Sequence, residues 1–286
     1  MSSKPFRFNR TNLVYGITVV FLILWCVAPI LWSFSISITP RNETLVSPAN
    51  IIPQNPTLDS YKQLLDTSSV GVSGNFRKGM INSIVSSLGT VVIGLPMLFL
   101  GSYAVARMEF KGRRLIEAAI YSTLVIPVFA TIIPLFIAYS ELKMINTQWG
   151  LILVYVSSLL PLILSVMVNY LSTLPRELEE AASIDGCSRI KMITTIILPL
   201  SYPILLSSAL IMFISTWNQY TIPLILASSD KTKPIAVVIS EFVTKNSTNY
   251  SLMNAGGLLA ILIPCGIAVI FRKFLAKGLT AGATKG

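Results

Sequence analysis

Six apolar runs limit what this chain can become. They cover about residues 13–38, 80–106, 115–140, 149–172, 203–227 and 253–274, and each reaches the ~20 residues that cross a ~30 Å hydrocarbon layer as a helix. No water satisfies a peptide group inside lipid, so a spanning segment has to close its own backbone hydrogen bonds. Runs of this length do so as helices. Composition agrees, with 53% hydrophobic and only 12% charged residues, about half the usual charged share. The first run is longer than the 7–15 residues of a signal-peptide core, so it reads as a retained helix. The fold class is an all-α integral membrane protein with six transmembrane helices.

Between the runs the chain is polar. Residues 1–12 form a short basic N-terminus, residues 13–274 hold the spans and residues 275–286 form a tail. Pro29, Pro96, Pro127, Pro134, Pro161, Pro223 and Pro264 lie inside runs, which predicts bent helices. Ser86, Thr90, Gly94 and Gly101 in the second run fall near one face, a small-residue pattern that lets membrane helices approach closely. Lys and Arg number fourteen in the N-terminus, residues 107–114, residues 173–202 and residues 272–286, against eight in the alternate loops. That excess places both termini and the 173–202 loop in the cytoplasm. Arg77 and Lys78 run against the bias.

The loop 173–202 differs from everything around it. The stretch Leu174 to Pro203 carries four of the twelve acidic residues. Pro175 suits a first helical turn, and Glu177, Glu179 and Glu180 crowd that turn, where the helix dipole favours negative charge. Leu178, Ala181 and Ala182 share a face. Asp185-Gly186 ends the helix, because Gly takes a left-handed C′ conformation without strain. Ser188 is a natural N-cap for a second helix, whose Ile190, Ile193 and Ile197 share a face until Pro199. The product is a helix–glycine turn–helix with an acidic rim and small side chains, suited to being gripped by a partner.

Glu180-Ala181-Ala182, Gly186 after three residues, then nine residues, Ile196 and Leu198-Pro199 resemble the E-A-A loop of ATP-binding-cassette importer permeases. The resemblance extends to Asn82-Ser83 opening the second run, Tyr103-Ala104-Val105-Ala106-Arg107 closing it, and Trp217-Asn218-Gln219-Tyr220 in the fifth. The tail, too glycine-rich to read as helix or strand, is similar to the G-L-T-x-G-A-x-K-G ending of maltose-type sugar permeases. Cys187 stands where that family usually has Ala. The resemblance implies a cytoplasmic coupling helix pair in which Glu180, Ala181, Ala182, Asp185, Gly186 and Pro199 meet an ATPase. It implies tail contacts from Leu279, Thr280, Gly282 and Lys285 to the same partner. It also implies a multi-pass protein of the bacterial or archaeal inner membrane, with no cofactor of its own and with ATP and Mg bound by partner subunits. The implied partners are a second homologous permease, two ATPase subunits, an extracellular solute-binding protein, a carbohydrate and membrane lipid.

The residues themselves exclude several other classes. There is no His, which removes Ser-His and Cys-His nucleophiles and most zinc sites. No G-x-x-x-x-G-K-[ST] loop is present, so the chain is no ATPase. The net charge of +10 sits at the ends of apolar runs and forms no nucleic-acid stripe. No Asp, Glu, Lys or Arg lies near a span centre, where proton carriers keep them; Glu117 and Arg272 only approach span ends. Trp217, Asn218, Gln219 and Tyr220 in mid-span supply amides and aromatic faces that suit an uncharged, hydroxyl-rich solute, or pair with other helices as glue. The alternatives are a permease for another solute, such as a glycerol phosphate ester, or a self-sufficient secondary carrier. With Cys26 and Cys265 replaced by Ser, a membrane-impermeant thiol reagent is expected to label Cys187 in inside-out vesicles and not in intact cells; labelling from outside would reverse the orientation.

Overall fold

The computed structural model describes residues 10–44, 52–66, 74–243 and 248–280, with side chains described for residues 13–271 of these. Its regular elements are helices: α1 Arg10–Ser37, the single turn α2 Arg41–Thr44, α3 Asp59–Leu65, α4 Asn75–Arg107, α5 Arg113–Ser122 and α6 Val128–Glu141. There follow α7 Gln148–Thr173, α8 Glu177–Ile184, α9 Arg189–Met192, α10 Leu198–Leu200, α11 Tyr202–Trp217, α12 Thr221–Leu226, α13 Ile235–Ser240 and α14 Tyr250–Thr280. Four helices, α1, α4, α7 and α14, are long and apolar enough to cross a membrane by themselves. Two bent pairs raise the number of candidate spans to six.

Both bent pairs correct the sequence reading. The run 115–140 is not one rod: Arg113–Val125 and Val128–Glu141 meet at 106°. Pro127 causes the break, because its ring forces the residue before it out of the helical region. Ile126 accordingly lies extended at φ −77°, ψ 119°, and Pro127 starts α6. The run 203–227 ends as helix at Trp217 and resumes only as α12. Sixteen residues span ~24 Å; by length and composition α11 passes as a candidate span only when counted with Arg189–Leu200, from which it bends by 76°. Pro29, Pro96, Pro134, Pro161 and Pro264 all sit inside helices that continue through them.

The chain forms two compact units. The first comprises residues 1–74 and 239–259. Its polar contacts gather at the end of α1, where Ser33 Oγ donates to Asn254 Oδ1 at 2.7 Å and Ser37 Oγ pairs with Tyr61 OH at 2.7 Å. Along α1 nearly all side chains from Leu13 to Phe34 are exposed, Val19 and Ser33 being half-buried.

The second unit, residues 75–238 and 260–286, packs α4, α7 and α11 together. Small residues set the spacing. At Gly94 an added Cβ would sit 2.6 Å from Met212 Cε of α11 and 2.9 Å from Val156 Cγ2 of α7. Ser86 and Thr90 are buried as expected. Gly101 is not part of this seam, since a Cβ there meets nothing within 4 Å; Gly89, 2.5 Å from Ile152 Cδ1 by the same test, takes its place. The hydrophobic core is centred on Leu98, Phe99, Tyr103, Ile163, Met167, Leu171 and Ile197, toward the end of the bundle nearest residues 173–202.

At the opposite end a polar latch holds the segment 226–235. Asn82 Nδ2 donates to the Lys233 carbonyl at 3.0 Å and its Oδ1 accepts from Gln148 Nε2 at 3.1 Å. Ser83 Oγ accepts from the Ile235 amide at 2.8 Å, and Asn146 Oδ1 from the Ser229 amide at 2.8 Å. These contacts give Asn82-Ser83 a structural reason. Lys78 also finds one: partial burial pushes the Asp230 carboxyl up, but the Asn75 side chain, Lys233 and Lys78 outweigh it and hold the group below its usual range. Gly150 in the first turn of α7 has no room at all, because an added Cβ would strike the Met144 carbonyl oxygen. Gly150→Ala is therefore expected to destabilise the purified chain by about 1–3 kcal/mol, whereas Gly101→Ala should be neutral or stabilising by up to about 1 kcal/mol; thermal unfolding in detergent measures both.

Candidate functional site

The loop 173–202 folds as two helices around a glycine. Leu174, held extended by the following Pro175 (φ −69°, ψ 139°), closes α7. Pro175 thus precedes the helix and is not in its first turn, a small correction; the first bond of α8 runs from the Glu179 amide to the Arg176 carbonyl at 2.9 Å. Glu177, Glu179 and Glu180 occupy the first turn. At the other end the Cys187 amide reaches the Ala182 carbonyl at 2.9 Å and the Gly186 amide the Ser183 carbonyl at 3.1 Å. That is the Schellman arrangement, which needs a left-handed residue at C′, and Gly186 has φ +73°. Ser188 then caps α9, its Oγ accepting from the Lys191 amide at 3.4 Å.

The second helix departs from expectation. Residues Ile193–Ile197 form a π-turn, with the Leu198 amide bonded five residues back to Ile193. The wider turn rotates the face, so Ile197 is buried while Ile190 is 77% exposed; the three isoleucines do not line one stripe. Nor does Pro199 end the helix, for it lies within α10. A proline lacks the N–H and crowds the carbonyl four residues earlier, and the adjacent π-turn relaxes that crowding.

The motif residues separate by exposure. Glu180, Ala181, Asp185, Gly186 and Pro199 face outward, and Ala182 packs inward. Ile184 stands beside them 87% exposed. Glu180, Ser183, Ile184, Cys187 and Arg189 line an open depression of about 500 Å³, with Tyr103, Glu179 and Met192 at its floor. An outward face of small residues, two bare isoleucines and a carboxylate rim is chemically a socket for a protein surface with apolar and basic groups.

Glu179, beside the motif, does something the sequence reading missed. Its Oε1 lies 3.2 Å from Arg107 Nε, and the two side chains are 18% and 4% exposed. Tyr103 OH donates to its other oxygen at 3.0 Å. Arg107 Nη2 also donates to the Leu174 carbonyl at the close of α7. The Nε contact is an ion pair without a linear N–H···O alignment. Removing one partner of a buried pair typically costs about 3–5 kcal/mol, since the other charge stays behind. The available signal was Tyr103 and Arg107 one turn apart on α4, opposite a doubled Glu.

The remaining sequence-singled residues are scattered. Trp217 is buried and stacked on Phe213 at 5.8 Å. Asn218 is exposed, Gln219 half-buried and Tyr220 40% exposed, and these three form the break between α11 and α12. Leu279 and Thr280 end α14 as helix, contrary to the expectation that residue 277 onward could not be helical. Extending an existing helix is cheap compared with starting one, so Gly278, at ~1 kcal/mol relative to Ala, is absorbed. Gly282 and Lys285 lie outside the described residues.

A chain of membrane-length helices with an exposed helix pair between α7 and α11 has the architecture of a membrane transport subunit. The chain belongs to the binding-protein-dependent transport system inner membrane components, whose family model matches residues 97–281; it is an ABC permease subunit, without catalysis of its own. It is 33% identical over 279 residues to the trehalose/maltose transport system permease protein of Thermococcus litoralis, covering 97% of this chain and 98% of that one. It is 32% identical over 284 residues to the galactooligosaccharides transport system permease protein of Bacillus subtilis, covering 99% and 98%. In structure it resembles a bacterial ABC transporter involved in the import of the acidic polysaccharide alginate, with a TM-score of 0.77 over 94% of this chain and 99% of that one at 21% identity; that likeness shows the fold. Because a Cβ at Gly186 would meet nothing within 4 Å, its conformation alone is at stake. Gly186→Val is expected to reduce uptake more than tenfold and Gly186→Asn, which tolerates positive φ, to retain most of it; equal loss in both would point to crowding instead.

Proposed function

We propose that this chain is the membrane permease subunit of an ATP-driven importer of carbohydrate, an oligosaccharide in particular. The observation that carries the reading is the exposed helix pair α8–α9, joined to α7 and α11 and carrying the Glu180-Ala181-Ala182 motif in a chain whose permease family is shown. The subunit pairs with a second, homologous permease, receives solute from an extracellular binding protein, and docks two ATPase subunits that hold ATP and Mg. Glu180, Ala181, Asp185, Gly186 and Pro199 meet the ATPase, with Ala182 packed behind them, and both termini lie in the cytoplasm. The carbohydrate class is supported by the names of the two relatives above and by the polar break at Asn218, Gln219 and Tyr220, whose amides suit hydroxyls. A phosphate-ester solute would call for a basic residue in a span interior, and the sequence has none there. Leu279, Thr280, Gly282 and Lys285 would extend the contact with the ATPases.

Affinity purification in mild detergent is expected to bring down an ATPase and a second permease together. Reconstituted with its binding protein, the complex should accumulate radiolabelled trehalose, maltose or a galacto-oligosaccharide only with ATP, while the chain alone transports none. Uptake by the chain alone would make it a secondary carrier. Deleting residues 279–286 should leave assembly intact and lower solute-stimulated ATP hydrolysis; unchanged stimulation would remove the tail from the mechanism.

A further inference from the structure

The socket is covalently continuous with two of the three core helices, α7 through Leu174–Arg176 and α11 through the π-turn and α10. It has no chain connection to the third, because α4 ends at Arg107 and runs on into α5. Arg107 supplies the missing connection. Its guanidinium reaches the Leu174 carbonyl on one side and the Glu179 carboxylate on the other, and Tyr103, one turn earlier on α4, donates to the same carboxylate. Three elements, the ends of α4 and α7 and the start of α8, thus meet at one buried guanidinium, above the core residues Met167 and Leu171.

We infer that Arg107 and Glu179 are positioning residues that make α4 move with the socket, so that force applied to α8 reaches all three core helices as one body. The adjacent carboxylates divide the work: Glu180 faces outward toward the docking partner, and Glu179 turns inward to the transmembrane core. Packing alone would leave the end of α4 free to lag when the socket is displaced, since packed helices slide by small shear motions. A guanidinium fork is suited to this junction because it can hold two oxygens in fixed directions, which an ammonium cannot. The inference rests on residues 173–202 being the ATPase socket.

The test uses the full reconstituted complex, with Cys26 and Cys265 replaced by Ser, Cys187 by Ala, and spin labels at Met108→Cys and Arg176→Cys, the latter at the start of α8 and outside the lining of the socket. In the parent complex the label-to-label distance should be narrow and unchanged between the nucleotide-free and ATP-vanadate-trapped states. In Arg107→Lys and Glu179→Gln it should broaden and become nucleotide-dependent, with ATP hydrolysis persisting and trehalose or maltose transported per ATP falling by about tenfold, the scale of one lost charge-assisted bond. Tyr103→Phe, which keeps the ion pair, should show a smaller change in the same direction. Parent-like distances in both Arg107→Lys and Glu179→Gln would overturn the inference, as would fewer complexes that each remain fully coupled. Glu180→Lys separates the underlying reading: ATPase recovery should fall with it but not with Glu179→Gln, and undiminished recovery would sink the socket itself.

Discussion

The structure depends on one constraint, that no peptide group may be left unpaired in hydrocarbon. This rule makes the spans helical, and it also determines where they may stop being helical. The helix stops at Ile126–Pro127 and at Asn218–Tyr220, where local bonds take over part of its work: the Ile126 amide reaches the Thr123 carbonyl at 3.3 Å and the Gln219 amide the Thr216 carbonyl at 3.1 Å. Any carbonyl such a stop leaves open needs protein or water beside it. The Asn218–Tyr220 break carries amide side chains that could bond solute, and Trp217 just before it is locked in the core against Phe213. Within the Trp-Asn-Gln-Tyr run, Trp217 therefore packs into the core while the other three residues lie at the break.

A second rule governs the opposite requirement, which is to transmit force out of the bilayer. A charge at the membrane centre is costly, but at the end of a span a buried pair can be supported by extra hydrogen bonds. Arg107 and Glu179 sit at such an end, 3.2 Å apart, with Tyr103 bonded to one Glu179 oxygen and the Leu174 carbonyl accepting from Arg107 Nη2. A hydrophobic contact at this place could be as stable, but it would be non-directional and free to slide. The ion pair fixes a distance, and the Tyr103 and Leu174 bonds, each to a defined atom, supply direction.

Most of the architecture was legible in the sequence because run length, prolines and loop charge each report on a local or one-dimensional property. The spans α1, α4, α7 and α14, the Gly186 turn and the Ser188 cap all follow from such signals. What failed to show was long-range. Nothing near Glu179 in sequence says that Arg107 lies 3.2 Å away, and Gly101 looks like Gly94 until Met212 and Val156 are brought against one of them. The broken third run was a matter of degree: Pro127 announced a bend, but the 106° angle depends on Ile126 being driven fully extended. The tail erred in the other direction, because composition judged residues 277–280 alone while α14 arrives at them already formed.

The π-turn explains why the Ile-x-Leu-Pro ending belongs to the socket and not merely to its border. A proline at position 199 in an unmodified helix would crowd the Thr195 carbonyl and delete a bond, producing a hinge between α9 and α11. Widening the preceding turn to five residues removes that crowding, and the Ser201 amide still reaches the Ile197 carbonyl at 2.9 Å. Tyr170 of α7 then donates to the Leu200 carbonyl at 2.8 Å, using an acceptor the elbow leaves open. The 76° change of direction is thereby made with its backbone groups bonded and its inner face, Met192 and Ile197, buried. The same stretch that looks like a helix terminator in sequence is, in three dimensions, a bent continuation of helical bonding from α9 into α11.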